Sequence, residues 1–298
     1  MPAEISSSPA DGTVSLPRRR PETSKRDYGR VAIVGGSAGM AGAPALAAMA
    51  ALRSGAGLVE LLVPDAVVAI AASFDPCVMT HGFPCLDDGT FSAAASGPID
   101  RRLTAADAVA VGPGLGRSPA ARDLAVCLWH DLRCPAVFDA DALWAVATLD
   151  AADRRSHAGP RVVTPHAGEL LRLIGREPGS AAAEDRSFLE REATALAAAT
   201  DAVVVLKGHR SLIVGPHEHA HNATGNPGMA TAGTGDVLTG VTAALLAQGL
   251  APFAAARLAA WIHGRAGDAA AAELGEISMT ARDLLDRLHV AFRAAGHP

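Results

Sequence analysis

NPGMATAGTGDVLTG, residues 226–240, is a glycine-rich loop that runs directly into the apolar stretch VLTGVTAALLAQGL. Glycines at 228, 233 and 235 precede a single carboxylate, Asp236. The start of a helix presents backbone N–H groups that lack helical partners, at the positive end of the helix dipole. Gly233, Thr234 and Gly235 would bring those amides close to an anion without side-chain interference, making an anion hole for a phosphoryl group in transit. Locally, Asp236 has two readings. It takes a proton from an attacking hydroxyl, help worth roughly 10²–10⁴ in rate, or it merely caps the helix.

Outward from this stretch, short β-branched runs alternate with longer Ala/Leu-rich runs. Strands are expected at 30–34, 58–63, 107–111, 136–139, 161–164 and 202–207. Helices are expected at 43–55, 65–73, 119–131, 167–174, 187–200, 236–248, 252–272 and 279–293. Several strands are apolar almost throughout, as strands covered on both faces are. The alternation predicts an α/β fold with a mostly parallel central sheet and helices on both faces. Residues 211–225 read as a short strand followed by a polar hairpin or loop. The expected organisation is a flexible N-terminal tail, 1–28, and one domain, 29–298.

Ligands of such sheets bind at the carboxyl ends of the strands. The expected strands are followed by GGSAGMAGA, GPGLG, ADAL, PHAGE and GHRS. Glycines, a histidine and acids therefore converge where a site belongs.

Bulk properties exclude several classes. A formal net charge of −5 leaves no electrostatic footprint for nucleic acid, and 4% aromatic residues leave little to stack bases on. Cys77, Cys85, Cys127 and Cys134 fit no zinc spacing and read as reduced thiols. No secretory h-region is found in the polar N-terminus, and every long apolar run carries a charge, so a cytoplasmic protein without a membrane span is expected. Gly35-Gly36-Ser37-Ala38-Gly39 matches the GxSxG nucleophile elbow, but on the first strand, where an elbow is out of place. The same loop misses the dinucleotide pattern GxGxxG, since its glycines fall at 35, 36, 39 and 42. A P-loop is absent as well.

Gly233-Thr234-Gly235-Asp236 resembles the GxGD anion-hole motif of the ribokinase-like superfamily, a three-layer fold. The fuller string NPGMATAGTGDVLTGVTAALLAQG resembles the ADP- or ATP-dependent NAD(P)H-hydrate dehydratases. Agreement in order extends to residues 27–64, GPGLG at 112–116, FDADAL at 138–143, TPHAGEL at 164–170, VVVLKG at 203–208 and WIHGRAGD at 261–268, spanning about 17–290. His166 in HAGE, where ribokinase-like kinases carry the asparagine of NxxE, is similar to the dehydratase pattern.

The resemblance implies repair of NADH and NADPH hydrated at the nicotinamide ring. The S epimer would be dehydrated using ADP, as bacterial members typically do, or ATP; with ADP the products are AMP and phosphate. It makes Asp236 the base. Ala43, Gly114, Leu115, His166 and Asp236 would contact the hydrated NAD or NADP skeleton. Lys207, Gly208, His209, Arg210 and Ser211, with Gly233, Thr234 and Gly235, would hold the nucleotide, although the family more often has a small residue and Thr within the KGxxT stretch. Mg2+ is implied, held through water by Asp139, Asp141 and Glu169. His263 reads as packing or as support behind the site. A separate epimerase and a homotetramer are also implied. The alternatives are a vitamin-precursor kinase of the hydroxymethylpyrimidine or thiazole type, and a nucleotide-sensing scaffold that kept the fold.

Overall fold

A computed structural model describes Leu16 and residues 18–296. Nine strands form one sheet: β1 (Arg30–Val34), β2 (Leu58–Pro64), β3 (Met79–Phe83), β4 (Ala108–Val111), β5 (Ala136–Phe138), β6 (Arg161–Val163), β7 (Val203–Leu206), β8 (Leu212–Val214) and β9 (His219–His221). Their order is β3-β2-β1-β4-β5-β6-β7-β8-β9. Pairing is parallel from β3 to β7 and antiparallel for β8 and β9. The order reverses between β1 and β4, so their carboxyl-terminal loops flank the topological switch point where such sheets hold ligands.

The helices among the described residues are α1 (Gly42–Arg53), α2 (Val68–Ala72), α3 (Ser96–Leu103), α4 (Pro119–Asp131), α5 (Asp141–Val146), α6 (Ala151–Arg155), α7 (Ala167–Leu173), α8 (Arg186–Thr200), α9 (Thr234–Ala247), α10 (Pro252–Leu274), α11 (Ala281–Asp286) and α12 (Leu288–Ala294). Alternate strand residues serve two cores. Val31, Ile33, Leu61 and Ala110 pack with α1, α9 and α10 on one face. Val34, Leu62, Val111 and Phe138 pack with α4, α5, α7 and α8 on the other. The continuous apolar strands of the sequence are thus covered on both sides.

All six expected strands form, and the polar stretch after 211 becomes the β8–β9 hairpin. The expected helix 279–293 is broken at Arg287 into α11 and α12. Strand β3 and helices α3, α5 and α6 were not anticipated. β3, MTHGF, is an edge strand with one of its five residues fully buried, so it lacks the apolar signature of its neighbours.

Part of the expected tail, Leu16 and residues 18–28, is described. Ser24 and Asp27 cap a 3-10 turn over Lys25–Tyr28. Arg19 stacks 4.0 Å over Tyr28 and donates to the Gly55 carbonyl at 2.6 Å. Cation–π contact and capping order the segment within itself, and the bonds from Arg19 to the Gly55 carbonyl and from the Gly57 amide to the Tyr28 carbonyl tie it to the body. Residues 1–15 and Arg18's predecessor, Pro17, lie outside the described residues.

The amino ends of the strands carry structural charge. Buried Arg161 donates to the carbonyls of Trp129 and Leu132 at the end of α4, at 2.6–3.0 Å. Buried Glu60 pairs with Arg30 and with Arg102, the latter at 2.8 Å. These bonds satisfy groups that would be costly to bury unpaired. Among the described residues no helix is long and apolar enough to cross a membrane.

α9 lies against α1 at the closest approach that backbone allows. A Cβ on Gly240 would stand 2.0 Å from the Ala47 carbonyl oxygen and 2.9 Å from the Ala50 methyl. Gly240→Ala must therefore push the two helices apart. The expected cost is about 1–3 kcal/mol, as for other overpacked cores, read as a lower unfolding midpoint in urea. An unchanged midpoint would show that the helices are not in this contact.

Candidate functional site

Helix α9 begins where the glycine-rich loop ends. Its N-cap, Gly233, has φ +92° and offers no side-chain cap, and a Cβ there would also meet Leu46 at 2.8 Å. Only glycine combines that backbone angle with so little space. The first-turn amides of Thr234, Gly235 and Asp236 make no bond to another described residue, and the first closing bond runs from Val237 N–H to the Gly233 carbonyl at 3.1 Å. Asp236 is the third helical residue and accepts no capping bond, which removes the capping reading left open by the sequence.

The loop before α9 is held from α10, the helix carrying WIHGRAGD. Asp268 accepts from the Gly225 amide at 3.1 Å and from Asn226 Nδ2 at 3.2 Å. His263 Nε2 donates to the Thr234 carbonyl at 2.8 Å. Burial pushes its imidazole down to about 4, despite the favourable Thr234 contact, so it is a neutral donor at physiological pH. Gly264 and Gly267 let the loop settle: added Cβ atoms would stand 2.2 Å from Thr224 Oγ1 and 2.4 Å from Met229 Sδ. The supporting reading of His263 fits this geometry.

The ends of β5, β6 and β7, with the first turn of α9, supply the charged groups. Asp139, 1% exposed, accepts from Lys207 Nζ at 2.8 Å and from Thr239 Oγ1 of α9 at 2.8 Å. Lys207 also lies 3.6 Å from Glu169. Burial works against the Lys207 ammonium, but Asp139 and Glu169 outweigh it and hold its pKa above the ordinary value. Burial also raises Glu169. Asp236 is pushed up to about 7, first by burial and then by Asp139, against the pull of Lys207.

Between the acids of DAD the backbone is strained: Ala140 has φ +49°. The turn sends Asp141 elsewhere, to the Gly116 amide at 3.0 Å and to Arg117 Nε at 2.8 Å. Among the described residues, no three His, Cys, Asp or Glu side chains form a group that could hold a metal directly.

His166 caps α7. Its Nδ1 accepts from the Gly168 and Glu169 amides at 3.1 and 3.4 Å, and Glu169 returns a bond from the His166 amide at 2.8 Å. Partial burial first, and Lys207 second, hold its pKa below the usual value. An accepting Nδ1 places the proton on Nε2, on an exposed ring.

A cavity of about 750 Å³ lies over the ends of β6 and β7. Seven of the eight expected nucleotide residues, Lys207 to Ser211, Thr234 and Gly235, line it, as does His166; Gly233 does not. Ala43 and Gly114 meet outside this cavity, beside the switch point: a Cβ on Gly114 would stand 3.4 Å from that of Ala43. Leu115 is fully buried, backbone included. Asp236 follows Gly235 but does not line this cavity; the charges that act on it are Asp139, Lys207, Glu169 and Asp141. Thr239 and Asp268 were missed by the sequence reading. Thr239 is indistinguishable there from other apolar-helix residues, whereas Asp268 ends a stretch already singled out.

The family model of NAD(P)H-hydrate dehydratase matches residues 31–289. A bifunctional NAD(P)H-hydrate repair enzyme of Moorella thermoacetica is 47% identical over 279 residues, which cover 93% of this chain and 52% of the relative. The chain spans about half the length of such curated relatives. An ADP-dependent (S)-NAD(P)H-hydrate dehydratase of Neisseria meningitidis is 39% identical over 286 residues, covering 91% and 89% of the two chains. The ADP/ATP-dependent NAD(P)H-hydrate dehydratase of Bacillus subtilis, co-crystallised with ATP and Mg2+, superposes with a TM-score of 0.78 at 27% identity, over 94% and 95% of the chains. A Thermotoga maritima ribokinase, at 14% identity and a TM-score of 0.55 over 89% of this chain and all of its own, shares the fold alone. The ribokinase-like sheet, the loop-to-α9 junction and the extent of these matches agree: this chain belongs to the NAD(P)H-hydrate dehydratase family.

Proposed function

We propose that this chain dehydrates the S epimer of hydrated NADH and NADPH at the expense of a nucleotide, ADP in preference to ATP, restoring NAD(P)H. The observation that carries the reading is Asp236, free of any capping role, beside unpaired amides and the Lys207–Asp139 pair.

In this reading Lys207–Ser211 and the α9 amides hold the nucleotide phosphates in the cavity, and the hydrated ring lies toward Ala43 and Gly114. His166, exposed at the boundary, orients the ring through Nε2–H. Asp236 takes the proton of the ring hydroxyl as its oxygen bonds to the terminal phosphorus. The bridging P–O bond breaks, and AMP leaves when ADP is used. The resulting phosphate ester is a better leaving group than hydroxide. Its C–O bond breaks with the push of the ring nitrogen lone pair, phosphate departs, and loss of a ring proton restores the double bond.

A nucleotide-borne Mg2+ fits the donor set: Asp139, Glu169 and Asp236 face one Lys207 ammonium, and burial has already raised two of the three acids. Asp139 and Glu169 would hold it through water, where it would neutralise charge developing on the phosphoryl oxygens; Asp141, expected with them, is instead taken by the Gly116 amide and Arg117. The names of the bifunctional relatives support an epimerase that would interconvert the hydrate epimers, in the cytoplasm.

Recovery of NADH absorbance from its hydrate, with ADP and ATP in parallel, tests the proposal. A phosphorylated alcohol accumulating from a vitamin precursor, with no NADH recovered, would overturn it. Asp236→Asn should lower turnover by at least about 10², the usual contribution of such a base, while nucleotide affinity stays within about twofold. Activity retained within about threefold rejects the base.

The pH dependence follows from the same carboxylate. Asp236 acts when ionised, so kcat/KM should rise about tenfold per pH unit and level off near its pKa of about 7. Stability moves the opposite way. The folded pKa, about 7, lies above the unfolded value near 3.8, so the native state binds the proton more tightly. The stability contributed by the protonated form is complete below the lower value and lost as pH rises through the upper one. Unliganded Asp236→Asn should therefore melt above the wild type at about pH 8, with the gap closing toward pH 4. Equal melting temperatures across this window would show that Asp236 is not buried as an acid.

A further inference from the structure

The β7–β8 turn, Lys207 to Ser211, is the wall of the cavity that departs from the family's KGxxT pattern. Its backbone takes two uncommon conformations, Gly208 at φ +140° and Arg210 at φ +51°. No bond to another described residue is made by the N–H groups of Gly208, His209 or Arg210. Successive free amides in a tight turn form a concavity suited to phosphate oxygens. Such a turn needs an outside anchor, because a non-glycine residue at positive φ is strained unless its surroundings hold it.

The anchor comes from α8. Arg186 Nη2 donates to the Arg210 carbonyl at 3.1 Å. A Cβ on Gly208 would stand 3.2 Å from Arg186 Nη1, so the guanidinium lies across the back of the turn. Its Nε is fixed by Glu190 at 2.9 Å, one helical turn along, and the same Glu190 oxygen meets His221 Nε2 of β9 at 3.2 Å. Two elements beside the turn thus fix one planar, permanently charged group. Lys207 N–H to the Pro165 carbonyl at 2.8 Å and Ser211 Oγ to the Gly208 carbonyl at 3.1 Å complete the hold.

We infer that Arg186 is a positioning residue for nucleotide binding: it holds the Lys207–Ser211 turn with its amides presented to the polyphosphate, and its charge lies behind them. A turn whose Arg210 carbonyl is clamped from α8 does not need the smaller residues usual in the family at these positions. Acting through the nucleotide and not the ring hydroxyl, Arg186 should govern the KM for ADP and leave kcat and the KM for the hydrate alone.

The inference rests on the proposed nucleotide-dependent function. Three variants test it: Arg186→Met, Arg186→Lys and Glu190→Gln, assayed by calorimetric titration with ADP alone, by steady-state kinetics on NADH hydrate and by melting without ligand. Arg186→Met should weaken ADP binding and raise its KM by about tenfold or more, the loss typical of a bond to a charged group. Its kcat and hydrate KM should stay within about twofold. Arg186→Lys should recover part of the loss, since it keeps the charge but not the fork. Glu190→Gln, a milder change, should raise the KM for ADP by about twofold to fivefold and keeps the inference testable if Arg186→Met does not fold. ADP binding unchanged in folded Arg186 variants, or a kcat that falls in step with the KM effect, overturns it. Wild-type protein that turns over hydrate with ADP yet shows unchanged variants sinks the inference alone. Wild-type protein that binds neither ADP nor ATP sinks the functional reading, and this inference with it.

Discussion

The buried contact of Lys207 with Asp139 ties the site to the sheet. It joins the ends of β7 and β5 across β6, and Thr239 extends it to α9. Asp139 is almost fully enclosed, so its charge is tolerable only while both partners stay in place. The consequence for α9 is positional. Its first turn cannot rotate or withdraw without stripping Asp139 of a bond, and a Cβ on Gly235 would already stand 3.4 Å from Lys207 Nζ. The anion-binding amides and Asp236 are thereby held against the sheet by charge, while α1 and α10 hold them by packing.

The same pair sets the proton chemistry. Each acid near Lys207 competes for a single ammonium, and Asp139 takes the short contact. Asp236 and Glu169 are left with burial and mutual repulsion, which is why both rise. A carboxylate held near neutrality binds a hydroxyl proton far better than an ordinary surface aspartate while still being about half ionised at neutral pH. The structural charges at the other end of the sheet behave differently. Arg161 and Glu60 have their bonds completed within the fold and leave nothing over for a ligand. Incomplete satisfaction at the carboxyl ends, complete satisfaction at the amino ends, is the physical difference between site and scaffold here.

The apolar strands and the glycine loops made the sheet legible in the sequence, because burial on both faces and tight strand-to-helix turns impose residue types directly. Edge strand β3 and the short helices α5 and α6 were not legible: they bury too little for a period to show. Within the site, Lys207–Ser211 and the α9 start stood out, since backbone approach demands glycine. Thr239 did not, because one hydroxyl in an apolar helix has no pattern until Asp139 is placed beside it. Asp236 lay between the two cases. Its spacing allowed base or cap, and only the N-cap at Gly233, with its left-handed backbone and absent side chain, separates them.

In the proposed function, phosphoryl transfer to a hydroxyl would be common to this site and to the kinases whose fold it shares, so the α9 amides and their acid would not by themselves select the outcome. Selection belongs to the acceptor side. A kinase must release its phosphate ester intact, whereas a dehydratase needs an ester on a carbon next to a nitrogen lone pair, where it expels itself. The protein's task is then to hold that ring so its hydroxyl meets the phosphorus. His166 suits this task in a way the kinase asparagine would not. With Nδ1 committed to the α7 cap, the ring is fixed in one tautomer, and its Nε2 lies 3.4 Å from Glu169 Oε1, so histidine and acid stand together at the boundary. In that reading the acceptor side would owe its geometry to the α7 cap at His166 and the nucleotide side to the turn held by Arg186, with Asp236 on the first turn of α9 serving the reaction between them.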